Sequence, residues 1–156
     1  MLRNQGMNQP SCVVVAVDVG STSARAAVFD AHGLRLGRAA PPFATARPLP
    51  DHAEHSSDEI WGAVRASVRA ALAAAAVPAE RVAGLAFDAT CSLVLLDAAG
   101  RPVSVSGTGQ DSWNVVMWAD HRALGEAGEI TATCHRVLAH VGGVMSPEMQ
   151  LPKQRG

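Results

Sequence analysis

The stretch VVVAVDVGSTSARAAVFD, residues 13–30, admits few folds. Residues 13–17 form a continuous apolar run with β-branched side chains, which predicts a strand buried on both faces. Residues 24–29 predict a second strand, and only a tight turn fits between the two. That turn is more polar than chain reversal requires: Asp18 ends the first strand, and Gly20, Ser21, Thr22 and Ser23 follow together. A hairpin tip of this kind gathers backbone N–H groups into a small concave nest that binds anions, phosphate above all. Hydroxyls add donors that adjust to phosphate oxygens. Asp18 would repel a phosphate unless a cation stood between them, and Mg²⁺ does this through a carboxylate, waters and phosphate oxygens. Arg25, in the following strand, adds a further positive charge. The competing reading is an ordinary hairpin in which Asp18 and Ser21 only close the turn.

Further along, Asp30-Ala31-His32-Gly33 carries turn chemistry, and residues 34–39 predict a third strand, so the chain opens as an antiparallel meander. Pro41, Pro42, Pro48 and Pro50 predict an irregular connection over residues 40–55. Ser56 with Glu59 three residues on is a capping box that opens a helix. Ile60, Trp61, Val64, Val68 and Leu72 give that helix one apolar face, with Trp61 expected in the core, and Pro78 stops it at Val77. Residues 82–87 predict a fourth strand ending on Asp88, joined to the first by a crossover that implies parallel pairing. A hairpin is expected about Asp97-Ala98-Ala99-Gly100, and a short strand over residues 115–118 ends near Asp120. A helix over residues 122–139 follows, weakened by Gly125 and Gly128 and ended by Gly142-Gly143. Three strand ends thus deliver Asp18, Asp88 and Asp120, and ligands of α/β sheets gather beyond such ends.

At 156 residues the chain suits one domain, and 48% hydrophobic against 17% charged residues predicts a packed core rather than disorder. A net charge of −1 leaves no basic excess for nucleic acid. No apolar run approaches the ~20 residues of a membrane span. The odd, scattered Cys12, Cys91 and Cys134 favour reduced thiols in a cytosolic protein. Residues 1–11 are expected to form a loose tail.

Four segments together carry a narrower resemblance. AVDVGSTSARAAVFD (16–30) resembles the first phosphate motif of the actin-like ATPase superfamily. AGLAFDATCSLVLLD (83–97), NVVMWADHRA (114–123) and VGGVMSPEMQLPK (141–153), in that order, resemble the FGGY carbohydrate kinases, in the branch that phosphorylates ribulose-type sugars. The resemblance covers residues 13–153 and implies a ribonuclease H-like, actin-like ATPase lobe: a mixed α/β sheet with an antiparallel meander followed by βαβ elements, present only in part.

The resemblance implies that Asp18, Gly20, Ser21, Thr22, Ser23 and Arg25 face the phosphates of ATP, with Asp18 toward Mg²⁺. It implies that Asp88, Ala89, Thr90, Cys91 and Ser92 lie against a sugar or polyol, with Trp118, Asp120, His121 and Arg122 as a second sugar-side motif. There an indole covers an apolar sugar face while carboxylate and guanidinium hold hydroxyls. Taken as residues alone, Cys91 is more readily an inert small hydrophobe than a nucleophile, and Trp118 more readily core than platform. His121 would suit a base, whereas the resemblance makes it a positioning residue. His52 and His55 lack the spacing of a zinc site, His135 and His140 are expected near the surface, and Trp113 carries no role. Glu148 and Lys153 are expected to support the sugar side without chemistry of their own.

The family's proton-accepting aspartate and adenosine motifs lie downstream of residue 156, so no catalytic residue is assigned. Residues 12–153 are expected to be part of the N-terminal kinase domain, with 154–156 a divergent end. An unpaired sheet edge, an exposed apolar face, marginal stability and little kinase activity alone are then expected, and a chain carrying the missing half is a candidate partner. Two other readings stay open: a non-catalytic or vestigial fragment that binds sugar or nucleotide, and another actin-like ATPase.

Overall fold

A computed structural model describes residues 12–155. The chain divides into two compact units, one of residues up to 42 plus 63–89, the other of residues 43–62 plus 90 onward.

The first unit is built on a four-stranded sheet in the order β3-β2-β1-β5. Its strands are β1 (Val13–Val19), β2 (Ala24–Phe29), β3 (Arg35–Ala39) and, after the helix, β5 (Val82–Ala89). β1 pairs antiparallel with β2 and β2 with β3, while β1 and β5 run parallel, as the meander and the crossover predict. The β2–β3 turn closes on Asp30, whose Oδ1 accepts from the His32 and Leu34 amides, with Gly33 at φ 79°. β1 is not buried on both faces. Val13, Val15 and Val17 are buried, whereas Val14, Ala16 and Asp18 face outward. A continuous apolar run implies cover on both faces, but among the described residues only one face receives a helix.

That helix is α1 (Ser57–Ala74), whose later turns bury Val64, Ser67 and Ala71. Gly37 on β3 shows how closely it approaches: a Cβ there would lie 2.5 Å from the Ala71 carbonyl oxygen and 2.6 Å from the Ala75 nitrogen. Trp61 is not core, being 55% exposed. It falls one position beside the buried stripe, so the helical spacing placed it one face too far inward. The helix also ends earlier than Pro78 alone would require. The Val77 amide donates to Leu72 O and the Ala76 amide to Ala73 O, with Ala76 at φ 51°. This is a Schellman ending with alanine where glycine is usual.

In the second unit, β4 (Glu54–His55), β7 (Val115–Val116) and β6 (Leu93–Val94) form a short antiparallel sheet in the order β4-β7-β6. β4 lies in the stretch read as irregular, and a further bridge joins Ala46 to Glu54. The hairpin about residues 97–100 is present, with Asp97 Oδ1 accepting from the Ala99 and Arg101 amides. The capping box is half made: the Glu59 amide donates to Ser56 Oγ at 3.3 Å, but Glu59 Oε2 accepts from the Ala44 amide rather than turning back to Ser56. Buried Asn114 accepts from the Ser57 amide and donates to Leu95 O, joining the start of α1 to the short sheet.

The helix expected over residues 122–139 is split. α2 (Leu124–Ala132) stops before Cys134, which takes φ 51°, and a 3₁₀ segment, Arg136–Val141, follows. Gly142 and Gly143, both at positive φ, end it as expected. A final short helix, α3 (Gln150–Arg155), carries the chain through residues read as divergent. The tail over residues 1–11 lies outside the described residues.

Candidate functional site

Within the first unit the β-register sets three charged residues in a row. Arg25 on β2 is the partner of Asp18 on β1, and Asp18 is the parallel partner of Asp88 on β5. Arg25 Nη1 donates to Asp18 Oδ2 at 2.6 Å, with both side chains about half exposed. The row lies at the end of the uncovered face, in a concavity of about 340 Å³ floored by Ala16, Ala27 and Ala86 and edged by Phe29, Arg35 and Arg38. At the β1–β2 turn the Gly20 amide donates to Ser23 O, and a Cβ on Gly20 would come within 2.9 Å of the Arg25 guanidinium. Glycine therefore lets the arginine lie over the turn. Thr22 is exposed at the tip, with Ser21 and Ser23 half-buried beside it. Two adjoining carboxylates beside three hydroxyls suit a hydrated divalent cation carrying phosphates, so these residues fit Mg²⁺ and a polyphosphate in kind. Asp88, expected on the sugar side, sits in the same row as Asp18, and Ala89 follows it at the end of β5.

In the second unit the remaining residues expected on the sugar side come together. Ser92 Oγ accepts from the Trp118 amide at 3.1 Å and lies 3.3 Å from Thr90 Oγ1. The 90–92 loop and the 117–122 turn thus share one hydroxyl. Trp118 is half-buried and Cys91 exposed. His121 Nε2 meets Glu148 Oε1 at 3.1 Å.

Behind that turn lies an ion network that sequence reading found only in part. Asp120 is fully buried, and both its oxygens are engaged within the unit. Oδ2 accepts from the Ala53 amide at 2.7 Å and from Arg122 Nη2 at 2.8 Å; Oδ1 accepts from the Arg122 amide and Nε. Arg122 also donates to Glu54 Oε1 and Val105 O, both at 2.8 Å. Burial opposes ionisation of Asp120, but the Arg122 guanidinium and the two amides outweigh it and hold the carboxyl below the usual carboxylate range. Burial likewise works against the charge of Arg122, and its bonds to Asp120 and Glu54 reverse that and raise it. Glu54 is the member that sequence reading missed. It is wholly buried, sits 68 positions from its arginine, and no local pattern marks it.

His55, set aside above as a zinc ligand on spacing, is placed in the core. It is buried, its Nε2 lies 3.0 Å from Thr45 Oγ1, and its ring meets Phe43 edge-on. No group of three or more His, Cys, Asp and Glu side chains placed to hold a metal occurs among the described residues.

A four-stranded mixed sheet with an antiparallel meander and one parallel crossover is the fold of an actin-like lobe, present in part. The crystal structure of a xyloylose kinase from Brucella ovis matches 90% of this chain and 28% of its own, with a TM-score of 0.77 at 23% identity. The profile of the FGGY family of carbohydrate kinases, N-terminal domain, matches residues 13–153. An FGGY carbohydrate kinase domain-containing protein of Danio rerio is 48% identical over 139 residues. A D-ribulokinase of Saccharomyces cerevisiae is 42% identical over 142. The chain belongs to the FGGY family of carbohydrate kinases. The two matches cover 89% of this chain, which spans 25% of the first relative's length and 20% of the second's.

Proposed function

We propose that this chain is the N-terminal part of an ATP-dependent carbohydrate kinase whose acceptor is a ketopentose such as ribulose. The observation that carries this reading is the meeting of the 90–92 loop and the 117–122 turn on Ser92, which gathers polar groups beside an indole as a polyol site requires. Likeness to a D-ribulokinase favours the ketopentose.

On this reading Ser21, Thr22, Ser23 and Arg25 receive the phosphates, and Asp18 holds Mg²⁺. When bound, Mg²⁺ offsets charge on the phosphate oxygens. Thr90 and His121 orient sugar hydroxyls, and Trp118 covers the apolar sugar face. Asp120 and Arg122, engaged with Glu54 and the backbone, hold the turn that presents them. Phosphoryl transfer depends on such positioning and charge stabilisation, with a carboxylate accepting the hydroxyl proton. None of Asp18, Asp88 or Asp120 is given that proton-accepting role.

Calorimetric titration with ribulose and, separately, with Mg²⁺-ADP tests the assignment. Saturable binding of both ligands is expected. Nucleotide binding with no response to any ketopentose or pentitol would overturn the ketopentose assignment.

A further inference from the structure

Three side chains of the 148–153 segment reach the two sugar-side stretches. Lys153 Nζ donates to Met117 O at 2.8 Å and to Trp118 O at 2.7 Å. Gln150 Nε2 donates to Cys91 O at 3.0 Å. Glu148 Oε1 meets His121 Nε2 at 3.1 Å. We infer that this segment braces the sugar site, with Lys153 as a positioning residue that fixes the Trp118 peptide and Gln150 one that fixes the Cys91 loop. The inference rests on the kinase reading above and goes beyond it, because it gives the terminal helix a task in sugar affinity.

The physical argument begins with burial. Lysine is almost never buried unless paired, yet Lys153 is only 9% exposed. Desolvation pulls its pKa down and the Arg122 charge adds to that, while the Asp120 and Glu148 carboxylates work against it. Two successive carbonyls receive the ammonium and replace part of the lost hydration. Gln150 and Lys153 are three apart on α3 and so lie on one side of it. A six-residue helix is marginal by itself, so its tertiary bonds hold it, and loss of those bonds frees it. At Trp118 the amide is held by Ser92 and the carbonyl by Lys153, so the peptide groups on both sides of the indole are fixed. Misplacement of a positioning group by about 1 Å is enough to cost ~100-fold in a reaction.

The test combines hydrogen exchange of the backbone amides with titration of ribulose and Mg²⁺-ADP, on the full chain and on Lys153→Met, Lys153→Arg and Gln150→Ala. Lys153→Met is expected to speed exchange over residues 117–122, leave residues 13–29 unchanged, and weaken ribulose binding roughly tenfold with Mg²⁺-ADP affinity retained. Lys153→Arg restores part of the ribulose affinity. Gln150 is exposed, so Gln150→Ala leaves the fold intact; it is expected to speed exchange over residues 91–93 and weaken ribulose about threefold. If Lys153→Met does not fold, the Gln150→Ala chain decides. Unchanged exchange in both stretches, or equal weakening of both ligands, overturns the brace. A wild-type chain that takes no ribulose overturns the ketopentose reading instead, and exchange alone then decides the brace.

Discussion

The family resemblance implies Asp120 as a sugar-side residue, and the structure buries it with both oxygens bonded to Ala53 and Arg122. What the local sequence did not disclose is how its oxygens are used. Glu54 and Arg122 lie 68 residues apart, and nothing in the spacing of either announces the other. Removing one member of a buried ion network leaves an uncompensated charge, so Asp120→Ala is expected to cost about 3–5 kcal/mol, read from urea unfolding. The carboxyl's folded pKa lies below its unfolded one. Its stabilisation is therefore fully present above an unfolded value of about 3.9 and is lost as pH falls through the lower folded value. The urea midpoint is expected to drop as pH falls below about 4, and to drop less in Asp120→Asn. An equal drop in both would show that other groups set the acid limit.

Strands and turns were legible because their signals are local. Apolar runs, the Asp30–Gly33 turn chemistry and the Ser56 cap placed β1, β2, β3 and the start of α1. Helix ends were less so, since Pro78 forbids continuation but does not say where the chain turns off. The turn is at Ala76, in a left-handed conformation that costs a non-glycine residue roughly 1–2 kcal/mol. Ala76→Gly is expected to raise stability by about 0.5–1 kcal/mol after glycine's extra chain entropy, seen as a higher Tm. Gly37→Ala goes the other way. Its methyl would strike the backbone of α1, and a loss of about 1–3 kcal/mol is expected in the same measurement. β4 escaped notice because two residues among prolines carry no periodicity, and its pairing partner is far along the chain.

The family and the character of the sheet could be read from four motifs, whereas the exposure of β1's second face depends on what packs there and is not written in β1. Val14 and Leu85 are each 47% exposed, and Phe87 on edge strand β5 is 52% exposed. Exposed apolar edges favour association. The chain is expected to self-associate as concentration rises, and Phe87→Lys to reduce this in sedimentation experiments. The central proposal, that the β1–β2 turn receives phosphate while Thr90 and Trp118 receive sugar, meets its most direct test in amide chemical-shift mapping. Mg²⁺-ADP is expected to move the signals of residues 18–25, and ribulose those of residues 90–92 and 118–122. Ribulose shifts that avoid Thr90 and Trp118, or nucleotide shifts that avoid the turn, would contradict it.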